Sequence, residues 1–169
     1  VLATHQRSGL SRWLHEAVAE PVARQARLQT LFVPRRVTGF VDPATGEPRL
    51  RNILIPVDRD PDPSAAVEAA VNLASTLGCR DTHFSILHVG PEQNLPPVGV
   101  PLENGWTAEK GAWTGDVVER VLEVAEARDA DLIVMATRGH HGFLDALRGS
   151  TTERVLRGAK CPVLAVPAG

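Results

Sequence analysis

Gly139, Gly142, Gly149, Ser150, Thr151 and Thr152 are the residues whose types and spacing invite chemistry. They follow the apolar run Leu132, Ile133, Val134 and Met135, which Ala136 closes. Glycines let a backbone approach a ligand closely, and the unpaired N–H groups opening a helix form a site for an anion. Ser150 and Thr151 are cap-type residues, whose hydroxyls bind either a helix's own backbone or a phosphate oxygen. The stretch is therefore a candidate phosphate-binding loop. It is not a Walker loop, since no Gly-Lys-Ser/Thr closes it, and it lacks the GxGxxG fingerprint of dinucleotide folds. An ordinary strand-to-helix connection uses the same residue types, so the local pattern leaves both readings open.

Other chemistries find less support. No paired-carboxylate motif, nucleophile elbow or HExxH is present. Phosphoryl transfer needs a positioned nucleophile and strong charge neutralisation, and the sequence identifies neither. His88 reads as a strand residue, and His140 and His141 as exposed loop residues rather than metal ligands. No catalytic residue and no metal site is assigned. A binding or regulatory module is expected, at most a weak ATPase.

The elements that must position this loop follow from periodicity. Residues 52–57 are almost continuously apolar, as in a strand covered on both faces. Ser64 is placed to cap a helix reaching about Leu77, with Val67, Ala70, Val71, Ala74 and Leu77 buried and Gly78 ending it. A second strand spans about 82–89, and a weak third lies near 106–113. Between them, four prolines in 91–104 forbid a regular helix and predict a loop or lid beside a pocket. Asp116 starts a helix to about Arg128, with Val118, Val121, Leu122 and Ala125 buried, and a fourth strand follows at 131–135. The order is that of an α/β doubly wound open parallel sheet with right-handed crossovers. Ligands of such sheets bind outside the carboxyl ends of the strands, where strand order reverses.

Residues 1–34 repeat residues 134–167 at a constant offset of 133, without a gap; Gly9/Gly142, Leu14/Leu147, Glu20/Glu153, Leu31/Leu164 and Pro34/Pro167 are among the identities. Glu16-Ala17 stands where the later copy has Gly149-Ser150, and a carboxylate there repels phosphate. Residues 1–34 thus read as the closing remnant of a degenerate first unit, and the chain as the C-terminal part of a longer tandem protein. Residues 35–50 are rich in turn formers and read as a linker, and 51–169 as the domain that carries the candidate site.

The chain has 169 residues, 43% of them hydrophobic, enough for a single core. Its net charge of −2 gives no sign of a nucleic-acid partner. Residues 138–160 hold five Lys/Arg against two Asp/Glu, a local excess of three (5 − 2) that suits an anion but also occurs on a solvated helix face. Cys79 and Cys161 lack ligand-type spacing and are expected as reduced thiols. No apolar run of membrane-spanning length occurs, and a cytoplasmic setting with no membrane partner is expected.

With these residues in hand, the sequence resembles the universal stress protein (UspA-like) family. Its nucleotide-binding members carry Gly-x2-Gly-x9-Gly-Ser/Thr after the fourth strand. Here Gly139 is the second glycine, nine residues follow, and Gly149-Ser150 closes the motif; Ala136 replaces the first glycine. That methyl group bears on affinity more than on fold. The resemblance extends in order over 52–58, 85–89, 131–135 and 161–166. It implies the five-stranded order 3-2-1-4-5 of the adenine nucleotide alpha hydrolase-like fold. It further implies an adenine nucleotide, ATP or AMP with any Mg²⁺ carried by the nucleotide. Asp58 would meet the ribose or adenine, and Val89, with Pro56 and Met135, would line the base pocket. The amides of 139–142 and 149–152 would hold the phosphates, with Arg138 or Arg148 adding charge. The alternative the resemblance allows is a nucleotide-free scaffold acting through dimerisation. Last strands pair across a two-fold axis in this family, so 28–34 (Leu28 to Pro34) would pair with 161–167 (Cys161 to Pro167), within one chain or between two.

Overall fold

A computed structural model describes residues 2–4, 29–34, 37, 39–138 and 151–168, and residues 2–4 by backbone alone. The elements are β1 (Leu2–Thr4), β2 (Thr30–Pro34), β3 (Asn52–Val57), α1 (Ser64–Thr76), β4 (His83–Val89), a 3-10 turn (Glu92–Asn94), β5 (Thr107–Trp113), α2 (Val117–Ala127), β6 (Leu132–Arg138), α3 (Thr151–Gly158) and β7 (Val163–Ala168). The described strands make one sheet in the order β1-β2-β7-β6-β3-β4-β5.

Its inner part, β5-β4-β3-β6-β7, is the expected 3-2-1-4-5 order, parallel throughout. The expected five strands are two too few. β2 lies antiparallel on β7, and β1 lies parallel on β2. The burial of residues 30–34 alternates along β2 and places Phe32 in the core at 1% exposure.

The continuous apolar character of β3 is explained by two layers. Ile53, Ile55 and Val57 face α1 together with Phe84, Ile86 and Val134. Leu54 faces the opposite side with Leu87, Ile133, Met135 and Val163, where α2 contributes Val118, Val121 and Ala125 and α3 contributes Val155. Trp106 is anchored between these strands and the end of α1: its indole N–H donates to the Cys79 carbonyl (2.9 Å), and its ring meets Phe84 edge-on at 5.4 Å. Both cysteines are buried and free.

Local signals explain most boundaries. Gly78, at φ +64°, closes α1: its N–H bonds Ser75 O and that of Cys79 bonds Ala74 O, the paired pattern of a helix ended by a left-handed residue. The start of α1 differs from expectation. Ser64 does not cap it; Asp62 accepts both the N–H (2.9 Å) and the hydroxyl (2.8 Å) of Ser64. An aspartate two residues ahead reaches that N–H through a side-chain turn, and Pro63 between them has no N–H to cap. The fourth strand also runs three residues past Met135, to Arg138, because β7 continues alongside it and pairs Ala136 with Val166, Thr137 with Pro167 and Arg138 with Ala168.

The proline-rich connection after β4 is coil around the 3-10 turn, and none of its residues lines the cleft described below. Of the expected loop or lid, the segment is a loop that stands off the cleft. Leu95, Val98 and Val100 pack on the α1 face of the core instead, and Arg59 donates to the carbonyls of Gln93 (2.9 Å) and Asn94 (3.3 Å).

Candidate functional site: a cleft over the central strands

The end of β3 is fixed from both sides. His88, 3% exposed on β4, donates its Nδ1–H to the Val57 carbonyl at 3.1 Å. At the other end of β3 the Asp131 carboxylate, just before β6, accepts the N–H groups of Arg51 (2.7 Å) and Asn52 (2.9 Å). The Asp131 bonds hold the starts of β3 and β6 side by side, their pairing ends at Leu54 and Ile133, and beyond it the carboxyl ends of the two strands line a cavity of about 410 Å³. Small-molecule sites span roughly 300–1,000 Å³, and this one is large enough for a nucleotide-sized ligand.

Each strand end contributes. Pro56 and Asp58 come from the end of β3, Val89 from β4, Met135 and Ala136 from β6, and Thr151 and Thr152 from the described start of α3. The seven described residues among the eleven singled out from the sequence all line this one cavity. The other four, Gly139, Gly142, Gly149 and Ser150, lie outside the described residues, as do His140, His141 and Arg148. Asp58 is exposed and accepts the Arg59 N–H through Oδ1 at 2.7 Å. Its other oxygen has no hydrogen bond among the described residues.

Sequence reasoning missed several parts of the wall. Val117 and Val121 of α2 line it, although the helix stripe assigned Val121 to the core alone and left out Val117. Asp60 lines the mouth and pairs with Arg138: Arg138 Nε donates to Oδ1 (3.3 Å) and an Nη2 hydrogen to Oδ2 (2.7 Å). An Asp three residues after a strand looks like any loop carboxylate, and only the long-range pairing reveals it. No group of His, Cys, Asp and Glu able to hold a metal occurs among the described residues, nor is any described helix long and apolar enough to cross a membrane.

The arrangement is apolar below, with carboxylates and one guanidinium at the rim and threonine hydroxyls at one side. It suits a flat, partly apolar ligand with a polar tail and, among the described residues, offers no nucleophile with an adjacent base. Fold and site together define an α/β sheet protein with a cleft where strand order reverses.

Comparison with known proteins agrees. The Universal stress protein family pattern matches residues 107–167. A universal stress protein of Methanocaldococcus jannaschii is 32% identical over 143 residues, which are 72% of this chain and 84% of that protein. The chain belongs to the universal stress protein family. Among solved structures, a universal stress protein from Archaeoglobus fulgidus superposes with a TM-score of 0.67 at 19% identity, over 99% of this chain and 60% of that one. This chain thus spans less than two thirds of that structure's length. A universal stress protein solved in complex with cAMP superposes with a TM-score of 0.53 at 21% identity, over 71% of this chain and 98% of that one.

Proposed function

We propose that this universal stress protein chain binds an adenine nucleotide, ATP or AMP, in the cleft between β3 and β6 and serves a regulatory role in a stress response, with slow hydrolysis or none. The observation that carries the reading is the convergence of Pro56, Asp58, Val89, Met135, Ala136, Thr151 and Thr152 on one cavity at the reversal of strand order. The relative that is similar in fold and was solved with cAMP supports it. In this reading Val89, Met135 and Val121 hold the base, Asp58 meets the ribose or adenine, and the phosphates lie toward Thr151 and Thr152. Gly139, Gly142, Gly149 and Ser150 complete the phosphate site. Any Mg²⁺ arrives with the nucleotide, bound by phosphate oxygens.

Residues 1–34 are in this account a degenerate copy of residues 134–167. The strand registers support it. Leu2, Ala3 and Thr4 pair with Phe32, Val33 and Pro34. Adding 133 to each gives Met135, Ala136 and Thr137 paired with Ala165, Val166 and Pro167, the register of β6 on β7.

A second reading is a nucleotide-free scaffold that works through pairing of its last strands. Ala136, whose methyl group stands on the cleft wall, favours it. Heat release of any nucleotide carried by the purified protein, followed by titration of ATP and AMP against wild type and Gly149→Glu, separates the two. Nucleotide binding predicts micromolar or tighter association lost in the variant. Equal affinity in both proteins, or none in either, refutes it.

A further inference from the structure

One ion pair bridges the mouth of the cleft. Arg138, the last residue of β6, presents two N–H donors to the two oxygens of Asp60, on the loop after β3. Both residues line the cavity, and their side chains are 65% and 73% exposed. Among the described lining residues Arg138 is the one cation, against the carboxylates of Asp58 and Asp60. An anionic group entering the cleft therefore meets like charge, and the complementary guanidinium is already engaged.

The engagement is easily exchanged. An ion pair in water adds little stability, because each charge is well solvated apart. A guanidinium, however, matches a phosphate in the same forked geometry that it offers a carboxylate, and the more highly charged phosphate attracts it more strongly. A ligand without a phosphate has nothing to offer Arg138 and leaves the pair closed.

We infer that Asp60 competes with the ligand's phosphate for Arg138, so that this pair sets how strongly the cleft prefers a phosphorylated over an unphosphorylated adenosine. The inference rests on the adenine-nucleotide reading of the cleft. Asp60 lowers the preference, Arg138 raises it, and the two effects are coupled.

The test is calorimetric titration of adenosine and of AMP against wild type, Asp60→Asn, Arg138→Gln and the double variant at fixed salt, with thermal melts to establish that each is folded. The readout is the ratio of the two dissociation constants. Asp60→Asn shifts it about three- to tenfold toward AMP, and Arg138→Gln about as far toward adenosine, the size expected of one partly exposed charge pair. In the double variant most of the Asp60→Asn gain disappears, because there is no guanidinium to release. A ratio indifferent to both substitutions while AMP still binds overturns this inference alone. So does a gain that persists in full without Arg138. If neither ligand binds the wild type, the nucleotide reading falls and takes the inference with it.

Discussion

Leu31 on β2 and Leu164 on β7 lie directly opposite each other across the antiparallel pair, 133 positions apart (31 + 133 = 164), the offset at which residues 1–34 match residues 134–167. Around that point the pairing is reciprocal: Thr30 faces Ala165 and Phe32 faces Val163, while 30 + 133 = 163 and 32 + 133 = 165. This is the self-complementary arrangement of a two-fold interface, here made within one chain.

The pairing covers the β7 edge, which would otherwise present unpaired N–H and C=O groups. Leu31 is half-buried against the core on the α1 side. Leu31→Asp is expected to lose about 1–2 kcal/mol of apolar burial and to loosen β2. Chemical denaturation reads the first effect. Concentration-dependent dimerisation through the opened β7 edge, seen by sedimentation, reads the second; a variant as stable as wild type and unchanged in mass contradicts the pairing.

Asp116 caps α2 by accepting the N–H groups of Val118 (2.9 Å) and Glu119 (3.1 Å), and Arg154 of α3 approaches the same oxygen at 3.4 Å. The Glu119 N–H above all, with the Arg154 charge and the Val118 N–H, holds this carboxyl below its usual 3.8. A lowered pKa means that the folded state favours the anion. The stabilisation is thus present above pH 3.8 and is lost as pH falls through the lower folded value. Asp116→Ala should melt a few degrees below wild type at pH 7, with the gap narrowing as pH falls below 3.8. A gap independent of pH would show that the cap is not charge-assisted.

Cys161 is pushed up from 9.0 to about 12, chiefly by burial and also by the Asp131 charge. Its thiol should resist alkylation at pH 8 in the native protein and react only on unfolding. Because the folded state holds the proton more tightly, its contribution to stability is intact below pH 9.0 and drains away between pH 9.0 and about 12. Cys161→Ala should flatten that alkaline decline; rapid labelling of native Cys161, mapped by peptide mass, would contradict it.

What the sequence made legible was whatever local pattern dictates. The apolar run of β3, the stripe of α2 and the glycine ending α1 each act within a few residues and were placed closely. Asp58 and Val89 could be nominated through the resemblance to the family, and Asp58 and Ala136 also because strand ends in this fold class converge where strand order reverses. What escaped depends on partners far along the chain. The Asp60–Arg138 pair spans 78 positions, and the extension of β6 to Arg138 exists only because β7 runs beside it. Asp62 rather than Ser64 serves α1 because both residue types cap equally well in principle, and geometry at Pro63 decides between them. The sheet's two added strands were half visible: the expected pairing of 28–34 with 161–167 already set β2 beside β7 as one of its two forms, but nothing local placed β1 on β2.

The central claim is that an adenine nucleotide occupies the cleft over β3 and β6, and backbone amide NMR during an AMP titration tests it most directly. The account predicts saturable shifts at Asp58, Val89, Met135, Ala136, Thr151 and Thr152, with β1 and β2 unmoved. Shifts confined to the β2–β7 edge, or none anywhere at millimolar AMP, would contradict it.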